Sequence, residues 1–130
     1  MIYVMDASAL LALTHGERGY EIVEDFIQTQ ECVISSVNIA EVGSKLVDNG
    51  LPERDLSRIL QQFQVGIIDF NAEQAIRSAA LRPLTRRCGL SLGDRACFAL
   101  AQLMEGCVVT TDRAWSDVET VSGVKVVQIR

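Results

Sequence analysis

Histidine is nearly absent from this chain: its 130 residues include one, His15, with one tryptophan, two prolines and four cysteines. The cysteines, Cys32, Cys88, Cys97 and Cys107, stand far apart and form no C-x-x-C pair, which excludes a redox motif and a zinc ligand pair. Three of them, Cys32, Cys97 and Cys107, fall in apolar patterns where a free thiol packs. With His15 in a turn before Gly16, a metal site of nitrogen and sulfur ligands is disfavoured, and any cation would be held by oxygen. Long hydrophobic runs are missing too; none approaches the ~20 residues of a membrane span. The start, MIYVMDASALLAL, lacks a basic lead-in and is interrupted by Asp6, unlike a signal peptide, so a cytoplasmic location without a membrane partner is expected. Basic charge is also short. Twelve Lys and Arg against 17 Asp and Glu give a net charge of −5, which argues against a broad basic surface for nucleic acid but not against a local strip. Candidates for such a strip are Arg82, Arg86 and Arg87 before Gly89, and Arg95 and Arg113, each directly after an aspartate.

What the chain does have is alternation. Short apolar or β-branched runs of strand length occur at 2–5, 32–35, 65–68, 107–110 and 124–129. Helical patterns separate them. Residues 7–13 and 19–28 form one connection, and 37–47 is a helix stopped by Asn49 and Gly50. Pro52 starts another, in which Leu56, Ile59, Leu60 and Phe63 repeat at the spacing of one buried stripe. A helix from Asn71 carries Ala75, Ile76, Ala79, Ala80 and Leu84 and is kinked or broken at Pro83. The stretch after Asp94 is apolar on nearly every side and therefore buried. Strands separated by crossover helices predict a single domain over 1–130, an α/β/α three-layer sandwich with a central, mostly parallel five-stranded sheet. In open sheets of this kind ligands lie beyond the carboxyl ends of the strands, where strand order reverses.

Acids stand at those places. Asp6 follows the first strand, Asp112 comes just after the fourth, Glu41 lies one turn into the helix after the second, and Asp94 opens the buried helix. Each has a local structural use. Ser91-x-x-Asp94 and Asn38-x-x-Glu41 fit capping arrangements, Glu41 and Lys45 fit an i,i+4 pair, and Asp6 and Asp112 fit helix caps. Together they imply more. Each close pair of carboxylates repels by ~1 kcal/mol in water and ~4 kcal/mol at an effective dielectric near 20. A hard cation, Mg²⁺ or Mn²⁺, offsets that repulsion with oxygen ligands and leaves positions for a phosphate substrate. The reaction class this pattern points to is metal-assisted hydrolysis of a phosphate ester.

Four stretches then carry a resemblance: VMDASALLAL at 4–13, SSVNIAEVGSKL at 35–46, GLSLGDRACFALA at 89–101 and VVTTDRAW at 108–115. In this order and spacing the chain resembles a PIN-domain ribonuclease, and more narrowly the VapC toxins of bacterial toxin-antitoxin pairs. The resemblance implies a PIN-like fold, RNA cleavage, and Mg²⁺ or Mn²⁺ held by Asp6, Glu41, Asp94 and Asp112. It also implies a homodimer and a small antitoxin whose C-terminal segment blocks the site. Thr110 matches a supporting hydroxyl near the acids, and Ser8 is given a similar part. Asp117 stands near the position of a further acid found in some relatives. Arg95, Arg113, Arg86 and Arg87 are candidate contacts to RNA phosphates. Rival readings are a PIN nuclease of RNA processing without an antitoxin, and a non-catalytic metal-binding interaction module. A phosphatase using Asp6 covalently is disfavoured because no D-x-D follows the first strand.

Overall fold

The computed structural model describes every residue from Met1 to Arg130. Five strands, β1 (Ile2–Met5), β2 (Glu31–Ser35), β3 (Gly66–Ile68), β4 (Cys107–Thr110) and β5 (Val126–Gln128), form one sheet in the order β3-β2-β1-β4-β5. All four pairings are parallel. Eight helices connect and cover them: α1 (Ala7–His15), α2 (Tyr20–Thr29), α3 (Ser36–Asp48), α4 (Glu53–Gln61), α5 (Ala72–Ala80), α6 (Arg82–Thr85), α7 (Leu92–Met104) and α8 (Ser116–Ser122). No helix is long and apolar enough to cross a membrane.

The two-residue alternation of the strands builds two separate cores. Val4, Val33 and Val108 face a cluster with Phe98, Leu100, Trp115 and Val118, contributed by α7, α8 and the turn before α8. Met5, Ile34 and Val109 face the opposite cluster with Leu10, Val23, Val42 and Leu46 from α1, α2 and α3. The result is the expected three-layer sandwich, with a sheet that is parallel throughout. From β1 the chain winds outward through β2 to β3, and later returns to the other side of β1 for β4 and β5. Strand order therefore reverses between β1 and β4.

Several boundaries depart from the sequence pattern. α4 ends at Gln61, and Gln64 takes the left-handed conformation (φ 58°), so Phe63 lies outside the helix and β3 starts at Gly66. The stripe of Leu56, Ile59 and Leu60 was expected to be buried. No residue of α4 is buried, because the helix lies at the outside of the fold with its contacts chiefly to α3. The helix from Asn71 breaks at Leu81, two residues before Pro83, which sits in the first turn of α6. Proline supplies no N–H to continue the ladder, and it disfavours helical backbone at Arg82. β5 is shorter than its apolar run, but Ile129 stays buried and its N–H donates to Thr110 O at 3.1 Å. Gly19 permits this end to dock: its φ is +94°, and a Cβ there would stand 2.0 Å from the Ile129 carbonyl oxygen.

Candidate active site

Parallel pairing of β1 with β4 brings Asp6 and Thr110 together at the carboxyl edge of the sheet, beside the reversal in strand order. Asp6 is 6% exposed. It occupies the N-cap position of α1, yet its side chain makes no capping bond. Instead its Oδ2 accepts hydrogen bonds from Ser8 Oγ (2.6 Å) and Thr110 Oγ1 (3.0 Å). The two hydroxyls also tie down the β4 loop, as Ser8 Oγ accepts from Thr111 N (3.0 Å) and Thr110 Oγ1 accepts from Asp112 N (3.1 Å). Each hydroxyl has a single proton and spends it on Asp6. Burial pushes the Asp6 carboxyl up from 3.8 to about 6; the two hydroxyl bonds oppose this, and the nearby charges of Asp94 and Glu41 add to it.

Asp94 sits in the first turn of α7 within a reciprocal capping box. Its N–H donates to Ser91 Oγ (3.2 Å), and its Oδ2 accepts from Ser91 N (2.9 Å). Glu41, on α3, does not pair with Lys45, and it forms no cap with Asn38 either. The cap of α3 is Ser35, at the strand end itself, which leaves Asn38 inside the helix and free for another partner. Asn38 Nδ2 donates to Glu41 Oε1 (2.8 Å) and reaches across to Gly93 O on α7 (2.9 Å). Asp112 is exposed and caps the turn that follows it, its Oδ1 accepting from Ala114 N (2.9 Å). Its carboxylate is not among the charges that raise Asp6.

A common pattern joins these acids. Asp6, Glu41, Asp94 and Asp112 each use one carboxylate oxygen in protein hydrogen bonds, while the other has no protein partner. Capping and metal binding are therefore compatible uses of one side chain. The donor set is all oxygen, which suits a hard cation. As the side chains stand, no three acids close into a ligand cluster. Beneath the acids lies Cys97, whose thiol is fully buried and pushed well up by burial and by Asp6, Asp94 and Glu41.

The basic candidates divide. Arg95 points away from the acids, and its Nη1 donates to Ser78 O on α5 (3.0 Å). Arg113, next to Asp112, is exposed, as are Arg86 and Arg87 in the 3₁₀ turn after α6. Asp117 is exposed in the first turn of α8 and makes no hydrogen bond with the residues around Asp6. Asn38 was read from the sequence only as a cap and Gly93 was not singled out, because the bond between them depends on how α3 meets α7.

The sequence profile of the PIN domain matches residues 3–121. The chain belongs to the PIN-domain family. This PIN domain is 28% identical over 108 residues to Ribonuclease VapC42 of Mycobacterium tuberculosis, a match covering 77% of the chain and 82% of the relative. Its fold is similar to that of a toxin-antitoxin complex from Klebsiella pneumoniae, with a TM-score of 0.75, 22% identity and 98% of each chain covered. A VapBC2 structure from Rickettsia felis, bound to a promoter DNA fragment, superposes with a TM-score of 0.74, 19% identity and 98% of each chain covered. A DNA-bound VapBC of Salmonella typhimurium gives 0.75 at 16% identity, covering 100% of this PIN domain and 99% of that chain.

Proposed function

We propose that this PIN domain is a divalent-metal-dependent endoribonuclease and the toxin of a toxin-antitoxin pair. The observation that carries the proposal is the buried Asp6 at the β1/β4 edge, with the charges of Glu41 and Asp94 near enough to act on it and Asp112 just beyond β4, each acid having one oxygen anchored and one uncommitted. Bound there, Mg²⁺ or Mn²⁺ would polarise a phosphodiester and favour ionisation of water. The residues supply placement. Ser8 and Thr110 fix the Asp6 carboxylate, and the Ser91 N–H of the capping box orients that of Asp94. In this reading Asp6, Asp94 and Asp112 hold the cation, while Glu41 binds it or orients the attacking water. Arg113, with Arg86 and Arg87, is the exposed candidate for RNA phosphates, whereas Arg95 is engaged with Ser78.

The partner readings rest on apolar surface and on the relatives. Leu56, Leu60 and the exposed Val47 line a groove between α3 and α4 that suits an antitoxin segment. A second copy of the chain would cover Ile76 (73% exposed) and Leu84 (54% exposed) on α5 and α6.

The proposal is tested by incubating purified protein with bacterial RNA in Mg²⁺, in excess EDTA, and as Asp94→Asn. Cleavage is expected in the first condition only, with Asp94→Asn slower by ~100-fold or more, and with 5′-phosphate on the products. Equal cleavage in all three, or 2′,3′-cyclic phosphate ends, would overturn it.

A further inference from the structure

Asn38 is fully buried on α3, where a free amide is costly unless its polar atoms are matched. Both of its Nδ2 protons are committed, one to Glu41 Oε1 and one to Gly93 O. Turning the amide over would set its oxygen against two acceptors, so chemistry fixes its orientation. The same orientation leaves Oδ1 buried with no partner. Holding α3 against α7 needs only the bond to Gly93 O; the second proton goes to the carboxylate.

Gly93 completes the arrangement from the opposite side. It is a helical residue without a left-handed φ, so backbone conformation does not call for glycine there. Space does. A Cβ at Gly93 would lie 2.6 Å from Glu41 Oε1 and 2.7 Å from Cδ and Oε2. Those atoms end a flexible side chain, so an added methyl would displace the carboxylate rather than break the helix.

We infer that Asn38 and Gly93 are positioning residues for Glu41: the amide of one and the missing side chain of the other seat its carboxylate against the first turn of α7, next to Asp94. The inference rests on the proposal that Glu41 belongs to the metal site. A charge-assisted bond to one carboxylate oxygen orients a ligand while leaving the other available.

The test is a double-mutant cycle read by Mn²⁺ binding, measured as the rise in melting temperature across a Mn²⁺ titration and, separately, as the Mn²⁺ concentration for half-maximal RNA cleavage. The proteins are wild type, Gly93→Ala, Asn38→Ala, Glu41→Ala and Glu41→Ala combined with Gly93→Ala. Without metal, Gly93→Ala is expected to fold cooperatively with at most a modest loss of stability, from the Asn38 proton that loses its acceptor, yet to need roughly ten- to hundredfold more Mn²⁺. Added to Glu41→Ala, it is expected to change nothing further. Wild-type Mn²⁺ affinity in Gly93→Ala, or an equal loss in the Glu41→Ala background, overturns the positioning role; Gly93→Ala alone suffices for this if Asn38→Ala does not fold. If wild type shows no Mn²⁺-dependent shift, or Glu41→Ala binds as tightly as wild type, the metal-site reading fails and the inference with it.

Discussion

Replacing Asp6 by asparagine should make the protein more stable at neutral pH, although it removes a proposed metal ligand. The carboxyl rises from 3.8 to about 6 on folding, chiefly because it is buried, with added repulsion from Asp94 and Glu41. At about 1.4 kcal/mol for each pH unit, keeping Asp6 ionised in the folded chain costs about 3 kcal/mol. The sign follows from proton uptake: the folded state binds the proton more tightly, so rising pH works against folding. The cost is absent below pH 3.8, grows between 3.8 and about 6, and is complete above that. Asparagine escapes it, and its amide oxygen can still accept from Ser8 and Thr110, though more weakly than a carboxylate. An entropy of unfolding near 2.1 cal/mol/K per residue converts ~3 kcal/mol into a rise of roughly 10 °C in melting temperature. Thermal unfolding of wild type and Asp6→Asn in EDTA from pH 4 to 8 measures it. The two curves should meet near pH 4 and separate as pH rises, with the variant above. A gap that does not vary with pH, or a variant that melts below wild type at pH 8, would refute the reasoning.

Two further substitutions probe the supports. Thr110→Val removes a donor to Asp6 and the acceptor of Asp112 N, so Asp6 should rise further and the upper end of the pH window of stability loss should extend to higher pH, while its lower end stays at 3.8. The fold should lose about 1–3 kcal/mol; thermal melts across pH read both effects, and an unmoved window would mean Asp6 does not feel that hydroxyl. Gly19→Ala forces a side chain into left-handed backbone and onto the Ile129 carbonyl, which should cost more than ~1 kcal/mol and loosen the C-terminal end. Hydrogen exchange at the Ile129 N–H reports this directly, and undiminished protection there would count against the contact.

The layers were legible because each strand alternates between two apolar faces and each crossover is long enough to be a helix, features that belong to the local chain. Pro83 marked a real break for the same reason. The α4 stripe misled because helical spacing says which face is apolar, not how much protein lies over it, and α4 packs mainly on α3 alone. Asp6, Glu41, Asp94 and Asp112 stood out by their relation to strand ends, and their anchoring bonds are largely short-range. Asn38 looked like a cap because it stands three positions before Glu41; Ser35 holds the cap, and the other partner of Asn38 lies 55 residues away. Arg95 looked available to a ligand because it follows Asp94, but successive helix positions diverge by about 100°, and its guanidinium is carried toward α5.

The strand order has a consequence for how the chain comes into being. Asp6 receives the Thr110 hydroxyl across 104 residues, and β1 stays unpaired on that side until β4 is present. A polypeptide leaving the ribosome amino-terminus first exposes Asp6 and Glu41 well before, and Asp94 shortly before, the segment that closes the edge. For a chain of the proposed activity, the order of synthesis predicts no cutting until the segment carrying Thr110 and Asp112 has been made and has paired with β1.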